Sequence, residues 1–156
     1  MAYQKLQVGR ALAVIPSDNA NIPFPSVVAT GSSTSVVASQ LVDSTASFIT
    51  KNVQVGDIIY LNAGTAAATV AGILSATTLL LNANIFTAAA VAYTIYSGSN
   101  NDGCVLYVGG AGAVAVTTTG NDTVTVSGVS AGQFLPIQVD KVAATGTTAT
   151  LILALW

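Results

Sequence analysis

The stretch TVTVSGVSAGQFLPIQV, residues 123–139, alternates hydroxyl and apolar side chains, turns at a glycine and continues as a second apolar segment. Alternation with a period of two is typical of a β-strand that buries one of its two faces. Pro136 lies in the second segment and predicts an edge strand or a strand start, because proline cannot donate a hydrogen bond to a neighbouring strand. The stretch therefore predicts two strands joined by a glycine turn.

The same period continues on both sides of this stretch. Val114 and Val116 precede the turn sequence TTTGND at 117–122, which predicts a hairpin, and leucines alternate along residues 151–155. Periodicity of the helical kind is scarce, so we expect an all-β fold, either a sandwich or a barrel. Most aromatic side chains lie in or beside predicted strands and are expected in the core: Tyr60, Tyr93, Tyr96, Tyr107 and Phe134.

Two stretches rich in serine, glycine and asparagine divide the chain, near residues 29–40 and 96–103. Between them, the segments VQVGDIIYL, AAATVAGIL, ATTLLLN and AYTIY have the composition of short strands. We therefore predict a β-sandwich or barrel domain formed by both chain ends, residues 1–33 and 99–156, with an inserted small antiparallel β-barrel at residues 34–98.

The chain carries very little charge for its length. Lys, Arg, Asp and Glu make up 6% of its 156 residues, against about 25% in ordinary soluble domains. Small and hydroxyl side chains must cover much of the surface instead, and such a surface tolerates close packing against other protein. No nucleic-acid partner is expected, because the basic residues form no cationic stripe; they are Lys5, Arg10, Lys51 and Lys141.

The inventory of reactive side chains argues against an enzyme. The sequence has no histidine, no glutamate and a single cysteine, so Ser-His-Asp and Cys-His catalysis lack their residues and zinc lacks a ligand set. The sequence GGAGAV at 109–114 lacks the spacing and the following helix of a phosphate-binding loop. Cys104 is expected to be a small buried side chain. We predict no catalytic residue, no cofactor and no metal site.

The sequence also predicts neither a membrane-spanning helix nor a secretory signal. No apolar run in the sequence approaches the roughly 20 residues that a membrane-spanning helix needs, so no membrane partner is expected. The opening MAYQKLQVGRALAVIPSD has one short apolar run but no small-residue cleavage site after a continuous apolar stretch. A secretory signal is therefore not expected.

The segment NIPFPS, residues 21–26, differs from the rest of the sequence. Its two prolines prevent it from being a central strand, and they flank the apolar side chain of Phe24. An extended arm with exposed apolar side chains usually needs a partner to lie on. We therefore predict that residues 15–25 contact another subunit, through Ile15, Pro16, Ile22, Pro23, Phe24 and Pro25.

The last third of the chain resembles a known family. The segments LYVGG (106–110), FLPIQV (134–139), ATGTTAT (144–150) and ALW (154–156) are similar, in this order, to a family of phage virion proteins that includes the head-spike base proteins of gene transfer agents. The resemblance covers residues 103–156 and, more loosely, residues 7–18. The inserted unit resembles a second phage module through LVDS (41–44), VGDI (55–58), ATV (68–70) and SATTL (75–79), which compact spike-base relatives lack.

This resemblance implies a structural role in a virion. The leading expectation is a head decoration, or cement, protein that binds the major capsid protein on the outer surface of the head and stabilises the shell as a homo-oligomer. A trimer is favoured and a pentamer is the alternative. Two other functions stay open, a vertex head-spike base that holds a fibre and a host- or carbohydrate-binding adhesin module. The resemblance also implies synthesis in the host cytoplasm, and it makes residues 15–25 candidates for contact with the capsid.

Overall fold

Every regular element of the structure is a β-strand. The computed structural model describes residues 8–99 and 102–156; residues 1–7 and 100–101, which belong to the predicted end domain, lie outside the described residues. No helix occurs in the described part of the chain, and the predicted all-β class is confirmed. The strands are β1 (Ala11–Ala13), β2 (Val27–Ser32), β3 (Ser35–Val37), β4 (Gln40–Val42), β5 (Ile58–Leu61), β6 (Ala67–Ser75), β7 (Thr78–Leu81), β8 (Ala92–Tyr96), β9 (Cys104–Gly110), β10 (Gly112–Thr118), β11 (Thr123–Val129), β12 (Gln133–Val142) and β13 (Thr150–Leu155).

Strands from both ends of the described chain meet in one antiparallel sheet. Its six strands lie in the order β1-β13-β9-β12-β10-β11, so β1 and β13 are neighbours. The hairpin predicted around residues 117–122 is formed by β10 and β11. Because β10 also pairs with β12, the edge strand β11 does not neighbour β12, the strand that follows it along the chain.

The position of β12 corrects one prediction. Pro136 indicated an edge strand or a strand start, but it lies within β12, an interior strand of the sheet, in the part of β12 that precedes its pairing with β10 at Val139–Val142. The register of β12 against β9 shifts between Leu135 and Val139. Such an irregularity leaves residues of the bulged strand unpaired, and this is where a sheet tolerates a proline that has no N–H to donate.

One face of the six-stranded sheet is buried, but in β13 the buried residues are Ile152 and Ala154 and not the leucines whose alternation predicted the strand. Along β9 and β13 the buried side chains alternate with half-buried or exposed ones. Ile22, which precedes β2, packs into the same cluster although it belongs to neither strand. The buried members of this first core are Ile22, Cys104, Leu106, Val108, Val114, Val116, Val129, Leu135, Val139, Val142, Ala149, Ile152 and Ala154.

Residues 27–96 form a second antiparallel sheet, with the strand order β2-β8-β5-β6-β7-β4-β3. It begins at β2, before the predicted insert boundary at residue 34, because Val27–Ser32 pairs with β8. β2 leads directly into β3, the strand at the opposite end of this order; closure into a small barrel stays a prediction. The second core contains Ala29, Leu41, Phe48, Val53, Ile59, Leu61, Ala68, Val70, Leu79, Leu81, Phe86, Tyr93 and Ile95.

The two sheets meet in a third hydrophobic cluster. Ile15 and Ala20, from the segment between β1 and β2, pack there against Ile58, Tyr60 and Ala67 of the second sheet. No described strand of one sheet pairs with a strand of the other. The contact between the sheets therefore depends on side chains and on this connecting segment.

A buried polar pair lies inside the second sheet. The hydroxyl of Tyr93 donates to Oδ2 of Asp43 at 2.7 Å, and both residues are almost fully buried. The backbone N–H and the hydroxyl of Thr45 donate to Oδ1 of Asp43. Burial works to raise the pKa of Asp43, but the hydrogen bonds from Thr45 and Tyr93 outweigh it and the pKa lies below its ordinary value. Gly31 lies against the pair, where a methyl group would come within 2.5 Å of both oxygens.

The Tyr93→Phe substitution tests this pair. It removes the donor to Asp43 while keeping the ring, so a buried carboxylate oxygen loses its partner, and the free energy of unfolding should fall by about 1–3 kcal/mol. Urea denaturation measures the change. The matched control is Tyr107→Phe, at a half-buried tyrosine of β9, where a change below about 0.5 kcal/mol is expected. Equal effects of the two substitutions would show that the Asp43 bond contributes nothing.

Candidate interaction surfaces

Residues 14–26, between β1 and β2, form an extended segment that we call the arm. On one side the arm is hydrogen-bonded to β12 of the six-stranded sheet. The Ser17 N–H donates to the carbonyl of Val142 at 2.9 Å, and the Ile22 N–H donates to the carbonyl of Asp140 at 2.8 Å. These bonds fix the backbone of the arm along the sheet without making it a strand.

On its other side the arm is hydrogen-bonded to the second sheet. The hydroxyl of Ser17 donates to the carbonyl of Ala67 at 3.2 Å, within the buried junction. The carbonyl of Asn19 accepts from the hydroxyl of Thr69 at 3.1 Å and from the side-chain amide of Asn82 at 2.5 Å. The arm thus contacts both sheets through backbone and side-chain hydrogen bonds.

Asp18 fastens the arm to the turn before β13. Its carboxylate accepts the backbone N–H of Thr145 at 3.0 Å and the Thr145 hydroxyl at 2.7 Å. These hydrogen bonds, the backbone bond foremost, hold the pKa of Asp18 below its ordinary value of 3.8. The ammonium of Lys141 lies near the backbone oxygen of Asp18, at 3.4 Å.

Half of the residues predicted to contact another subunit are buried in the chain itself. Ile15 is 9% exposed and packs in the third cluster, whereas Ile22 is 2% exposed and packs in the first core. Pro23 is buried as well. The two sheets take the place of the partner that these side chains were expected to need. Contact with a second subunit or with a capsid stays a prediction for the half-buried residues Pro16, Phe24 and Pro25.

Phe24 takes part in an aromatic and cationic cluster where the arm meets the start of β1 and the end of β13. Its ring packs edge-to-face on Trp156, with ring centroids 5.6 Å apart, and the guanidinium carbon of Arg10 lies 5.2 Å from the Phe24 centroid. Arg10 also donates to the carbonyl of Pro25 at 2.8 Å. The N–H groups of Gly9 and Arg10 both donate to the backbone oxygen of Trp156. Sequence reasoning missed this cluster, because its members are distant in the chain.

A surface that sequence reasoning did not identify lies on the other side of the six-stranded sheet. Its side chains alternate with the buried residues of β13, β9 and β12 and with the half-buried Leu12 of β1, so they point away from the first core. Cross-strand pairing places Ala13, Leu153, Tyr107 and Phe134 in one row across four strands. We call this surface the outer face; it consists of Ala11, Ala13, Val105, Tyr107, Phe134, Leu151, Leu153 and Leu155.

The outer face is apolar and partly open to solvent. Phe134 is 56% exposed, so the expectation that it lies in the core is wrong; its ring instead packs edge-to-face on Tyr107, with centroids 5.2 Å apart. Leu151 is 78% exposed and has a φ of 53°, in the left-handed region that residues with a Cβ rarely adopt. None of the side chains of the outer face carries a charge.

Two concave surfaces have a more polar lining. A cavity of about 320 Å³ lies beside the arm, lined among others by Asp18, Asn19, Thr69, Asn82 and Lys141. Several of its polar groups already bond to one another, as described for the arm. A wider open groove of about 770 Å³ follows β2 and is lined mainly by hydroxyl groups, a side-chain amide and small residues: Thr30, Gly31, Ser32, Ser33, Thr34, Thr45, Asn62, Ala89 and Ala90.

Reactive chemistry is sparse in the described residues. Cys104 is buried, as expected, and burial followed by the charge of Asp140 raises the pKa of its thiol to about 12, so the thiol stays protonated at neutral pH. No three Cys or Asp side chains of residues 8–99 and 102–156 lie together as metal ligands. Those residues also contain no helix of the length and hydropathy that crossing a membrane takes.

Comparison with known proteins found no match to a family model, to a curated protein or to a solved structure. The surfaces described above are therefore interpreted from their own geometry and chemistry.

Phe24→Ala tests the cluster that holds the arm to the ends of β1 and β13. Loss of the ring removes its contacts with Trp156 and Arg10, and the free energy of unfolding should fall by about 1–3 kcal/mol. Urea denaturation at low protein concentration measures the change. Phe134→Ala is the matched control, since that ring is more than half exposed. A Phe24 variant no less stable than the Phe134 variant would contradict the role of the cluster.

Asp18→Asn tests how the arm is held to the turn. Because the folded state lowers the pKa of Asp18, the stabilisation is present above the ordinary pKa and is lost as the pH falls through the lower folded pKa. The variant should therefore be less stable than the wild type at neutral pH. This difference in the free energy of unfolding should disappear in acid, at pH values below the ordinary pKa of 3.8. Thr145→Val, which removes one donor, should reproduce part of the effect. A gap that is the same at every pH would contradict this account.

Proposed function

We propose that this protein is a structural subunit of a phage virion. In this proposal it is a decoration, or cement, protein on the outer surface of the head, where it binds the major capsid protein and stabilises the shell as a homo-oligomer. A trimer is favoured and a pentamer is the alternative. The protein is made in the host cytoplasm, and its role requires no catalysis and no cofactor.

The uncharged apolar outer face is the observation that carries this proposal. Exposed apolar patches on soluble proteins mark interaction sites, and this one extends over four adjacent strands. Only 6% of the whole chain is charged, so protein surfaces can approach it closely without burying an unpaired charge. Protein assembly fits these features better than binding of nucleic acid, which requires a basic surface.

A repeated lattice explains how modest contacts would suffice. Each copy would contact the shell through only a small surface, such as the half-buried Pro16, Phe24 and Pro25 of the arm, but copies joined in an oligomer on a symmetric shell add these contacts through a high effective concentration. The two sheets suit binding to a lattice as one unit, because the arm and the clusters around it join them by direct contact. The resemblance of residues 103–156 to phage virion proteins supports the same role.

Two alternatives remain within the virion. A vertex spike base that holds a fibre would use the same kind of surface, and only its position separates it from a cement protein. The open groove along β2 favours an adhesin instead, because hydroxyl and amide groups such as those of Thr30, Ser32 and Asn62 can hydrogen-bond a sugar.

Cryo-EM of virions with and without this protein tests the proposal. We expect added density at regular positions over the whole outer head lattice, and particles lacking the protein should release their DNA at a lower temperature. Density restricted to the vertices would instead support a spike base, and density restricted to the tail would support an adhesin. Either result, or no density at all, would overturn the cement assignment.

A further inference from the structure

We propose that copies of this chain associate through the outer face, with Leu151 and Phe134 at the contact. The occupant of this apolar surface is then the outer face of neighbouring copies, which meet around the symmetry axis of the oligomer. The inference deepens the proposed function, since it rests on the homo-oligomer and names the surface through which that oligomer forms.

The outer face is left uncovered by the fold itself. Between its residues along β9 and β13 lie Leu106, Val108, Ile152 and Ala154, which point into the first core. The second sheet contacts the arm in the third cluster, which contains no residue of the outer face. A sheet face of this composition normally packs against another layer, and the described chain provides none.

The absence of charge on the outer face favours a second copy over other partners. The face offers no charged group to pair with a basic or acidic partner, and so gives such a partner no electrostatic complementarity. A copy of the same face meets it without like-charge repulsion and without an unpaired buried charge. The required apolar, uncharged partner surface is therefore present on the chain itself.

The backbone conformation of Leu151 supports the interface independently of the composition of the outer face. The left-handed conformation is unfavourable for a residue with a Cβ, and strained positions persist where the surroundings or a function require them. Here the strained residue also exposes 78% of a large apolar side chain. In the isolated chain nothing offsets the strained backbone and the exposed apolar side chain of Leu151, whereas contact with a copy would bury this side chain.

The size of the outer face predicts weak association of the free protein. Four strands spaced about 4.8 Å apart, and two-residue steps of about 6.8 Å along them, give a patch roughly 20 Å on a side with its side chains included. This is small beside the roughly 800 Å² per partner of a standard stable interface. We therefore expect a dissociation constant on the order of 10–100 µM.

Sedimentation velocity of the full chain over a range of about 5–500 µM tests the interface. The wild type should shift from monomer to a larger species. The double variant Leu151→Lys with Phe134→Lys places a charge on two exposed outer-face positions and should weaken association at least tenfold. The control is Ile49→Lys with Val55→Lys, because these side chains are 62% and 63% exposed but lie on the second sheet's loops; its association should match the wild type.

Leu151→Gly guards against a lysine variant that fails to fold. Glycine accepts the left-handed backbone, so this variant should be at least as stable as the wild type in urea, yet associate more weakly. A wild type that stays monomeric, outer-face variants that associate as the wild type does, or a control that is equally impaired would overturn the interface. If the protein is monomeric but still gives density on phage heads, the proposed interface is wrong and the proposed function is not affected. If the protein associates but gives no density on virions, the proposed function is wrong and the interface is not affected.

Discussion

The rest of the structure depends on the arm, because it is hydrogen-bonded to one strand of each sheet. Ser17 illustrates the constraint: its N–H bonds to β12, while its hydroxyl bonds to the carbonyl of Ala67 in β6. Ile15 and Ile22 anchor the same segment in two different hydrophobic clusters. Because no described strand bridges the sheets, these contacts determine how the second sheet sits on the first and which faces remain open.

The scarcity of charged residues is visible both in the interior and on the surface of the molecule. Inside, the buried carboxylate of Asp43 is satisfied by hydroxyl and backbone donors instead of by a basic residue. Outside, the face of the six-stranded sheet that the arm and second sheet leave open is apolar and uncharged. Leu151 and Phe134 are exposed on this face.

The periodicity of the sequence predicted the strands but not what covers them. Alternation along residues 123–139 and 151–155 correctly indicated strands, because side-chain direction is a local property. It did not show which face is buried: the leucines of β13 lie on the outer face, whereas Ile152 and Ala154 point into the first core. Burial of Ile15 and Ile22 depends on contacts between distant segments, which a pattern read along the chain does not contain. Pro136 in a central strand and exposed Phe134 have the same origin, since a register shift and an uncovered outer face arise only when strands assemble. The Phe24, Arg10 and Trp156 cluster likewise had no local signal.

Differential scanning calorimetry of the wild-type chain, at a concentration where it is monomeric, tests most directly whether the arm makes the two sheets one structure. A chain joined in this way should unfold in a single transition, with a calorimetric enthalpy equal to the van't Hoff enthalpy. Two separate transitions, or a calorimetric enthalpy well above the van't Hoff value, would show that the sheets unfold independently and would contradict the account.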